Sequence, residues 1–183
     1  VVVPAAQVSP LPEAITFEAA AAIPVNYLTA WLMLVHLGNV QRGDRVLVHA
    51  AAGGVGQAAL QLCRWRGAEV IGTASAAKHP RLRDAGCAHC IDYRSQDVEA
   101  EVKRITDGAG VQIALDAVGG QSFAKSYRCL ASMGRLFMFG VSSFAAGEKR
   151  SILRALRGLL AIPTFKSIPL MNENRGVFGI NLG

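Results

Sequence analysis

The stretch His49-Ala50-Ala51-Ala52-Gly53-Gly54-Val55-Gly56 decides how this chain is read. It ends an apolar run, Arg45–Ala50 (RVLVHA), and opens a segment in which Val55, Ala59 and Leu62 recur at i, i+4 and i+7. Gln57, Gln61 and Arg64 lie on the opposite side, so the segment reads as an amphipathic helix. A strand, a glycine-rich turn and a helix in that order make a cradle for an anion. One glycine permits a tight turn, one lets backbone N–H groups approach a pyrophosphate, and one lets helix and strand pack closely. The anion then rests on the helix N-terminus, where unpaired N–H groups and the dipole favour negative charge. Ala51 stands where the G-x-G-x-x-G pattern has its first glycine, so the signal lies in the strand–turn–helix context.

Downstream, the same alternation continues. Gly67 closes the helix and Glu69–Ala74 (EVIGTA) is a second strand. Pro80 suits a helix start, the turn it opens runs to Asp84, and Gly86 stops it. His89–Asp92 is a short third strand. Val98, Val102 and Ile105 then repeat a helical stripe, with Glu99 and Lys103 paired on its outer side. Gln112–Val118 is a fourth strand, Phe123, Tyr127 and Leu130 mark a further helix, and Arg135–Phe139 is a fifth strand. Val177–Leu182 is a candidate sixth. This βαβα order predicts an α/β fold, a doubly wound parallel sheet with helices on both faces. Residues 1–44 are Pro-punctuated, then Ala-rich, with a helical run from about Pro24 to Leu37, and read as a lead-in rather than a second domain. Residues 141–176 read as loop-like and basic, with one amphipathic helix around Ile152–Leu160.

Composition agrees. The 183 residues fit one large domain, and a chain of that size buries roughly 70% of its unfolded surface. Hydrophobic residues are 51%, charged residues 17%, and the mean hydropathy is +0.30, which excludes intrinsic disorder and suits strands buried on both faces. The longest apolar run, Leu28–Leu37, is interrupted by Thr29 and His36 and falls short of the roughly 18 residues of a membrane span, so none is expected. The net charge of +6 comes mainly from arginines scattered along the chain, whereas a nucleic-acid binder concentrates its cations in a stripe with interleaved aromatics. No nucleic acid is expected as a partner. One dense patch, Lys149, Arg150, Arg154 and Arg157, reads first as a solvated helix face, then as a subunit contact or anion site. The four cysteines make no disulfide framework. Cys87-Ala-His-Cys90 lacks a second CxxC, and Cys90 reads as strand filling, so no metal is expected. The absence of a signal-peptide pattern points to the cytoplasm, and the missing initiator Met to a piece of a longer protein.

The tip of the second strand selects the nucleotide. An acid about 20 residues after the loop would hold the ribose 2′-OH of NAD. Here the chain reads Gly72-Thr73-Ala74-Ser75, then Lys78 and His79. No carboxylate repels a 2′-phosphate, and Ser75 and Lys78 are available to bind one. Each charge-assisted hydrogen bond contributes about 1.5–3 kcal/mol, enough to favour NADPH over NADH by one to two orders of magnitude. The plainer reading of Lys78 is a surface lysine. No P-loop, nucleophile elbow or H-E-x-x-H is present. None of Tyr27, Tyr93 or Tyr127 has a lysine four residues on, which removes the Tyr/Lys pair of short-chain reductases. A methyltransferase would prefer an acid at the second strand tip.

HAAAGGVGQAALQL (49–62) resembles the loop of the medium-chain dehydrogenase/reductase superfamily, A-x-x-G-x-x-G, with Ala50, Gly53 and Gly56 in the fixed places. AAAIPVNYLTAW (20–31), GDRVLVHAAAGGVG (43–56), GAEVIGTAS (67–75), IDYRS (91–95) and GRLFMFG (134–140) are similar to its zinc-independent quinone oxidoreductase branch, which includes zeta-crystallin. LMNENRGVFGINLG (170–183) is similar to the vesicle amine transport protein–like subgroup. The resemblance implies a Rossmann domain over residues 21–183, with residues 1–20 a boundary segment of a mostly absent β-rich substrate domain. It further implies that Ala52, Gly53, Gly54 and Val55 meet the pyrophosphate of NADPH, that Ser75 and Lys78 grip its 2′-phosphate, and that Tyr93 lies at the adenosine end. Val118, Gly140 and Val141 would line the nicotinamide, approached by Asn26, Thr29 and, more weakly, Asn181. Asp116 either touches ligand or anchors strand-end backbone. The implied activity is hydride transfer from NADPH to a quinone or activated alkene, with no catalytic residue assigned. The alternatives are an enoyl reductase module of a polyketide or fatty-acid synthase and a non-catalytic NADPH-binding or structural protein. A homodimer through residues 164–183 is expected, since a final edge strand needs covering.

Overall fold

Thr16 starts the first long helix, its side chain accepting from the Ala19 N–H at 3.3 Å, with Glu18 in the first turn suiting the helix dipole. The computed structural model describes residues 2–141 and 163–181. Helix α1 spans Phe17–Trp31 and continues as a π-helical turn over Leu32–His36. It thus begins before the expected start at Pro24, which sits inside it. The cap at Thr16 and the alanines of the first turns outweigh the proline, which costs only the Ala20 carbonyl its helical donor. The run Phe17–His36 is longer than the apolar stretch Leu28–Leu37 marked in the sequence: it is 20 residues long with a mean hydropathy of 1.3, long and apolar enough to cross a membrane by length and composition alone. Its inner side is nonetheless protein core, with Ala30, Met33 and Leu34 fully buried, while Phe17, Val25 and Leu28 face outward.

Strands β1 (Arg45–Val48), β2 (Glu69–Ala74), β3 (His89–Asp92), β4 (Val111–Asp116), β5 (Leu130–Met138) and β6 (Gly176–Gly179) form one sheet in the order β3-β2-β1-β4-β5-β6, every pair parallel. Between them lie α2 (Gly54–Arg66), α3 (His79–Asp84), α4 (Val98–Ile105), α5 (Gln121–Arg128) and, before β6, α6 (Ser167–Glu173). Side chains alternate across each strand, and both faces are apolar. Val46, Val48, Ile113 and Leu115 join Ala59, Leu60 and Cys63 of α2 and the inner side of α1 in one core. Leu47, Ile71, Ala114 and Leu136 join Val102 of α4 in the other. This is the Rossmann arrangement of a doubly wound sheet.

Gly67 ends α2 at φ 73, as its place in the sequence predicts, and Lys103 pairs with Glu99 at 3.0 Å on α4. Some boundaries differ. β1 and β4 end two residues early, at Val48 and Asp116, because Ala50 turns into the left-handed region (φ 51) and Asp116 begins a turn. Leu130, expected on a helical stripe, instead starts β5 and pairs with Val111 across a register shift. Helix α6 falls in a stretch expected to be loop. The helix expected at Ile152–Leu160 and the basic patch at 149–157 lie outside the described residues.

Candidate functional site

The strand order reverses between β1 and β4, and in such sheets ligands bind outside the carboxyl ends of the strands at that point. The chain leaving β1 bends at Ala50, whose carbonyl accepts from Gly53 N–H at 2.8 Å. Gly53 is the N-cap of α2, and no side chain caps the helix, so its first-turn N–H groups are left for an external acceptor. Each glycine has its own reason. A Cβ on Gly56 would lie 2.5 Å from the Ala51 carbonyl, so this residue lets α2 pack on β1. A Cβ on Gly54 would run into the Asn26 side chain, which α1 lays against the loop. A Cβ on Gly53 would meet only the Ala50 carbonyl, at 3.2 Å, and Gly53 and Gly54 are both exposed. Ala52 and Val55 flank them, half-buried. The loop is therefore a backbone cradle that opens to the outside and suits a diphosphate.

The β2–β3 register pairs Ala74 with Asp92, so Ser75 and Tyr93 each stand one residue beyond paired positions on adjacent strand tips. Ser75 carries the 3₁₀ turn Ala76–Lys78, and its carbonyl accepts from Lys78 N–H at 2.9 Å. Lys78 is exposed and makes no ion pair among the described residues. Tyr93 is 54% exposed, with Arg94 over its ring at 5.9 Å. Asp92, the carboxylate near this tip, is engaged locally with Arg94 N–H and the Ser95 hydroxyl.

On the other side of the switch point, β4 and β5 bring Val118, Gly140 and Val141 together. A Cβ on Gly140 would stand 3.2 Å from the Ala117 carbonyl, and one on Gly119 would stand 3.1 Å from Val141. Asp116 resolves the two readings left open for it in favour of an anchor. It is fully buried, and its Oδ1 accepts from the N–H groups of Val118 (2.8 Å) and Gly119 (3.4 Å). Its Oδ2 accepts from the hydroxyls of Ser122 (2.7 Å) and Ser126 (2.6 Å) on α5.

Beside Asp116 lies His49, which the sequence pattern places in the first strand and which the structure puts just beyond its end. Its Nε2 is 2.9 Å from Ser126 Oγ and its Nδ1 is 3.3 Å from Thr73 Oγ1, which also accepts from Ala50 N–H at 3.3 Å. Burial pushes the imidazole pKa below its ordinary value, and the nearby Asp116 carboxylate only partly opposes this. The ring is therefore neutral at physiological pH. The 3.9 Å separation from Asp116 Oδ2 is then bridged by Ser126 rather than being an ion pair. Ser122 and Ser126, spaced i and i+4, were the available sequence signal for this cluster.

Thr29 is buried with its hydroxyl donating to Val25 O at 2.6 Å, and Asn181 is exposed beyond β6. Cys87 and Cys90 are free thiols. The Cys87 thiol contacts the Val70 and His89 carbonyls, and burial pushes its pKa up to about 12. His89 pairs with Glu69 at 2.8 Å. Among the described residues no group of three potential metal ligands converges.

A family profile described as "Zinc-binding dehydrogenase" matches residues 54–182. Along its whole length the chain is 45% identical to the synaptic vesicle membrane protein VAT-1 homolog of Rattus norvegicus and covers 45% of that protein. It thus spans about half the length of the curated relatives it matches. The Escherichia coli quinone oxidoreductase complexed with NADPH superposes with a TM-score of 0.78 at 32% identity, over 95% of this chain and 49% of that one. The CurK enoyl reductase superposes with a TM-score of 0.76 at 31% identity, over 95% of this chain and 47% of that one.

Proposed function

The chain belongs to the medium-chain dehydrogenase/reductase family, its zinc-independent quinone oxidoreductase-like branch, and from that premise we propose that it is the NADPH-binding part of an enzyme reducing a quinone or activated alkene. The observation that carries this reading is the uncapped start of α2 at the switch point, beside a β2 tip that offers Ser75 and Lys78. The backbone N–H groups of Ala52, Gly54 and Val55 would hold the diphosphate, with Gly53, whose own N–H is spent on the Ala50 carbonyl, giving it room to approach, and Ser75 with Lys78 would hold the 2′-phosphate. Tyr93 packs beside the adenosine. Val118, Gly140 and Val141 would line the nicotinamide, with Asn26 and Thr29 approaching it from α1 and Asn181 from beyond β6. NADPH, when bound, supplies the hydride from its nicotinamide ring. The chain's own task is to orient that ring and keep water from it. A conjugated acceptor spreads the incoming charge, so this chemistry does not demand a Lewis-acid metal. In this reading residues 1–20 border a substrate domain and residues 21–183 are the coenzyme domain of a cytoplasmic homodimer. The dimer forms along the β6 edge, where Met133 and Met171 are exposed.

The likeness to the CurK enoyl reductase favours a second reading, an enoyl reductase module of a synthase. A fluorescence titration of the chain with NADPH and NADH tests the coenzyme assignment. At least a tenfold preference for NADPH is expected, and a preference for NADH rejects the roles given to Ser75 and Lys78. The complete reading frame, assayed on quinones, enones and enoyl thioesters, tests the acceptor. NADPH bound but oxidised by none of them assigns a non-catalytic binding role instead.

A further inference from the structure

Resting on the NADPH reading, we propose that His49 is a positioning residue that fixes the diphosphate loop and the nicotinamide-side loop to one another through a relay of hydrogen bonds. Proton bookkeeping sets the direction of every member. A carboxylate only accepts, so the Ser122 and Ser126 hydroxyls both donate to Asp116 Oδ2. Ser126 has then spent its one proton, and its contact with His49 Nε2 requires the imidazole to donate there. The neutral ring carries its proton on Nε2 and leaves Nδ1 as an acceptor. Thr73 accepts from Ala50 N–H and donates to Nδ1. The relay therefore runs from Ala50 at the bend of the loop, through Thr73, His49 and Ser126, to Asp116, which holds Val118 and Gly119. It crosses from β2 over β1 to α5 and β4, and joins the two loops that contact opposite halves of a dinucleotide. The buried members all have partners, so the relay rigidifies rather than strains the switch point.

Thr73→Val and Ser126→Ala each break the relay at one end. Because NADPH bridges both loops, each variant is expected to bind it about tenfold more weakly, and the double variant no more weakly than either alone. Adenosine 2′,5′-bisphosphate, which needs only the β2–β3 tips, binds Ser126→Ala as it binds the parent. A double variant weakened about a hundredfold, or an equal loss for the bisphosphate, overturns the relay. So does a nitrogen-15 NMR spectrum of the parent chain showing the His49 proton on Nδ1 rather than Nε2, a measurement that needs no variant to fold. If the parent chain binds neither NADPH nor the bisphosphate, it is the NADPH reading that fails. If it binds both and the losses add, only the relay fails.

Discussion

Asp116 and Lys78 mark two ends of one crevice that are built in opposite ways. Around Asp116 the polar groups are buried and mutually hydrogen-bonded, and they hold backbone of the β1 and β4 loops in place. Around Lys78 the chain offers exposed side chains on short strand tips, with Ser75 and Tyr93 as neighbours in register. A buried network loses much when one member goes, because the remaining groups are left desolvated and unpaired. An exposed cation loses almost nothing of the fold. Geometry and nucleotide choice are thus assigned to different regions, and substitutions can separate them.

The largest effect is expected at the buried end. Asp116→Ala leaves the Ser122 and Ser126 hydroxyls and the Val118 N–H without their acceptor. It should lower unfolding stability by about 4 kcal/mol, measured by urea denaturation. A loss under about 1 kcal/mol would mean that water enters and the region is not sealed as described.

Next comes pH. The folded pKa of His49 lies below its unfolded value of about 6.5, so the unfolded chain takes up a proton there that the native state refuses. The stability this ring contributes is fully present above about pH 6.5 and falls away as pH drops toward the folded pKa. The slope is at most about 1.4 kcal/mol per pH unit. The folded pKa values of Asp97 and Glu99 are also lowered, but those carboxylates lose their contribution only in the more acidic range below about pH 4.5. Unfolding measured between about pH 6.5 and 5 covers the imidazole range, and comparison with a His49 variant separates this ring from the chain's three other histidines. His49→Gln should flatten that segment, and an unchanged slope would assign it elsewhere.

At the exposed end the effect moves from stability to selectivity. Lys78→Ala should leave the unfolding midpoint in place and weaken NADPH about tenfold, a loss of about 1.4 kcal/mol, while NADH binding stays the same. Equal weakening of both coenzymes would return Lys78 to a general electrostatic role.

The same division explains what the sequence made legible. β2 and β3 lie over Glu69–Ala74 and His89–Asp92 because each is a short run with its own local boundaries. Ser75, Lys78 and the glycines are local too, set by their distance from a strand end. The start of α1 is not legible at Pro24 because the favourable cap, Thr16, lies a full two turns upstream and the alanines between carry no periodicity. α6 is not legible because its seven residues include Pro169 and show no repeating stripe. His49 and Ser126 are 77 residues apart, and nothing in either neighbourhood announces the other. Only the β1–β4 pairing, which sets Val48 beside Leu115, brings them together.

The smallest effect tests how firmly the bend of the loop is held. Ala50 sits at φ 51, a left-handed conformation that costs an L-residue about 1–2 kcal/mol. Glycine removes that cost but gives the unfolded chain more freedom, worth about 0.5–1 kcal/mol in the other direction. Ala50→Gly should therefore raise stability by only about 0.5 kcal/mol. NADPH affinity should not rise with it, because Ala50 N–H already meets Thr73 Oγ1 and Gly53 N–H already meets the Ala50 carbonyl. A gain of affinity would show that the parent loop is still working against its strain when the coenzyme arrives. The relay would then be holding that loop less firmly than the buried end of the crevice implies.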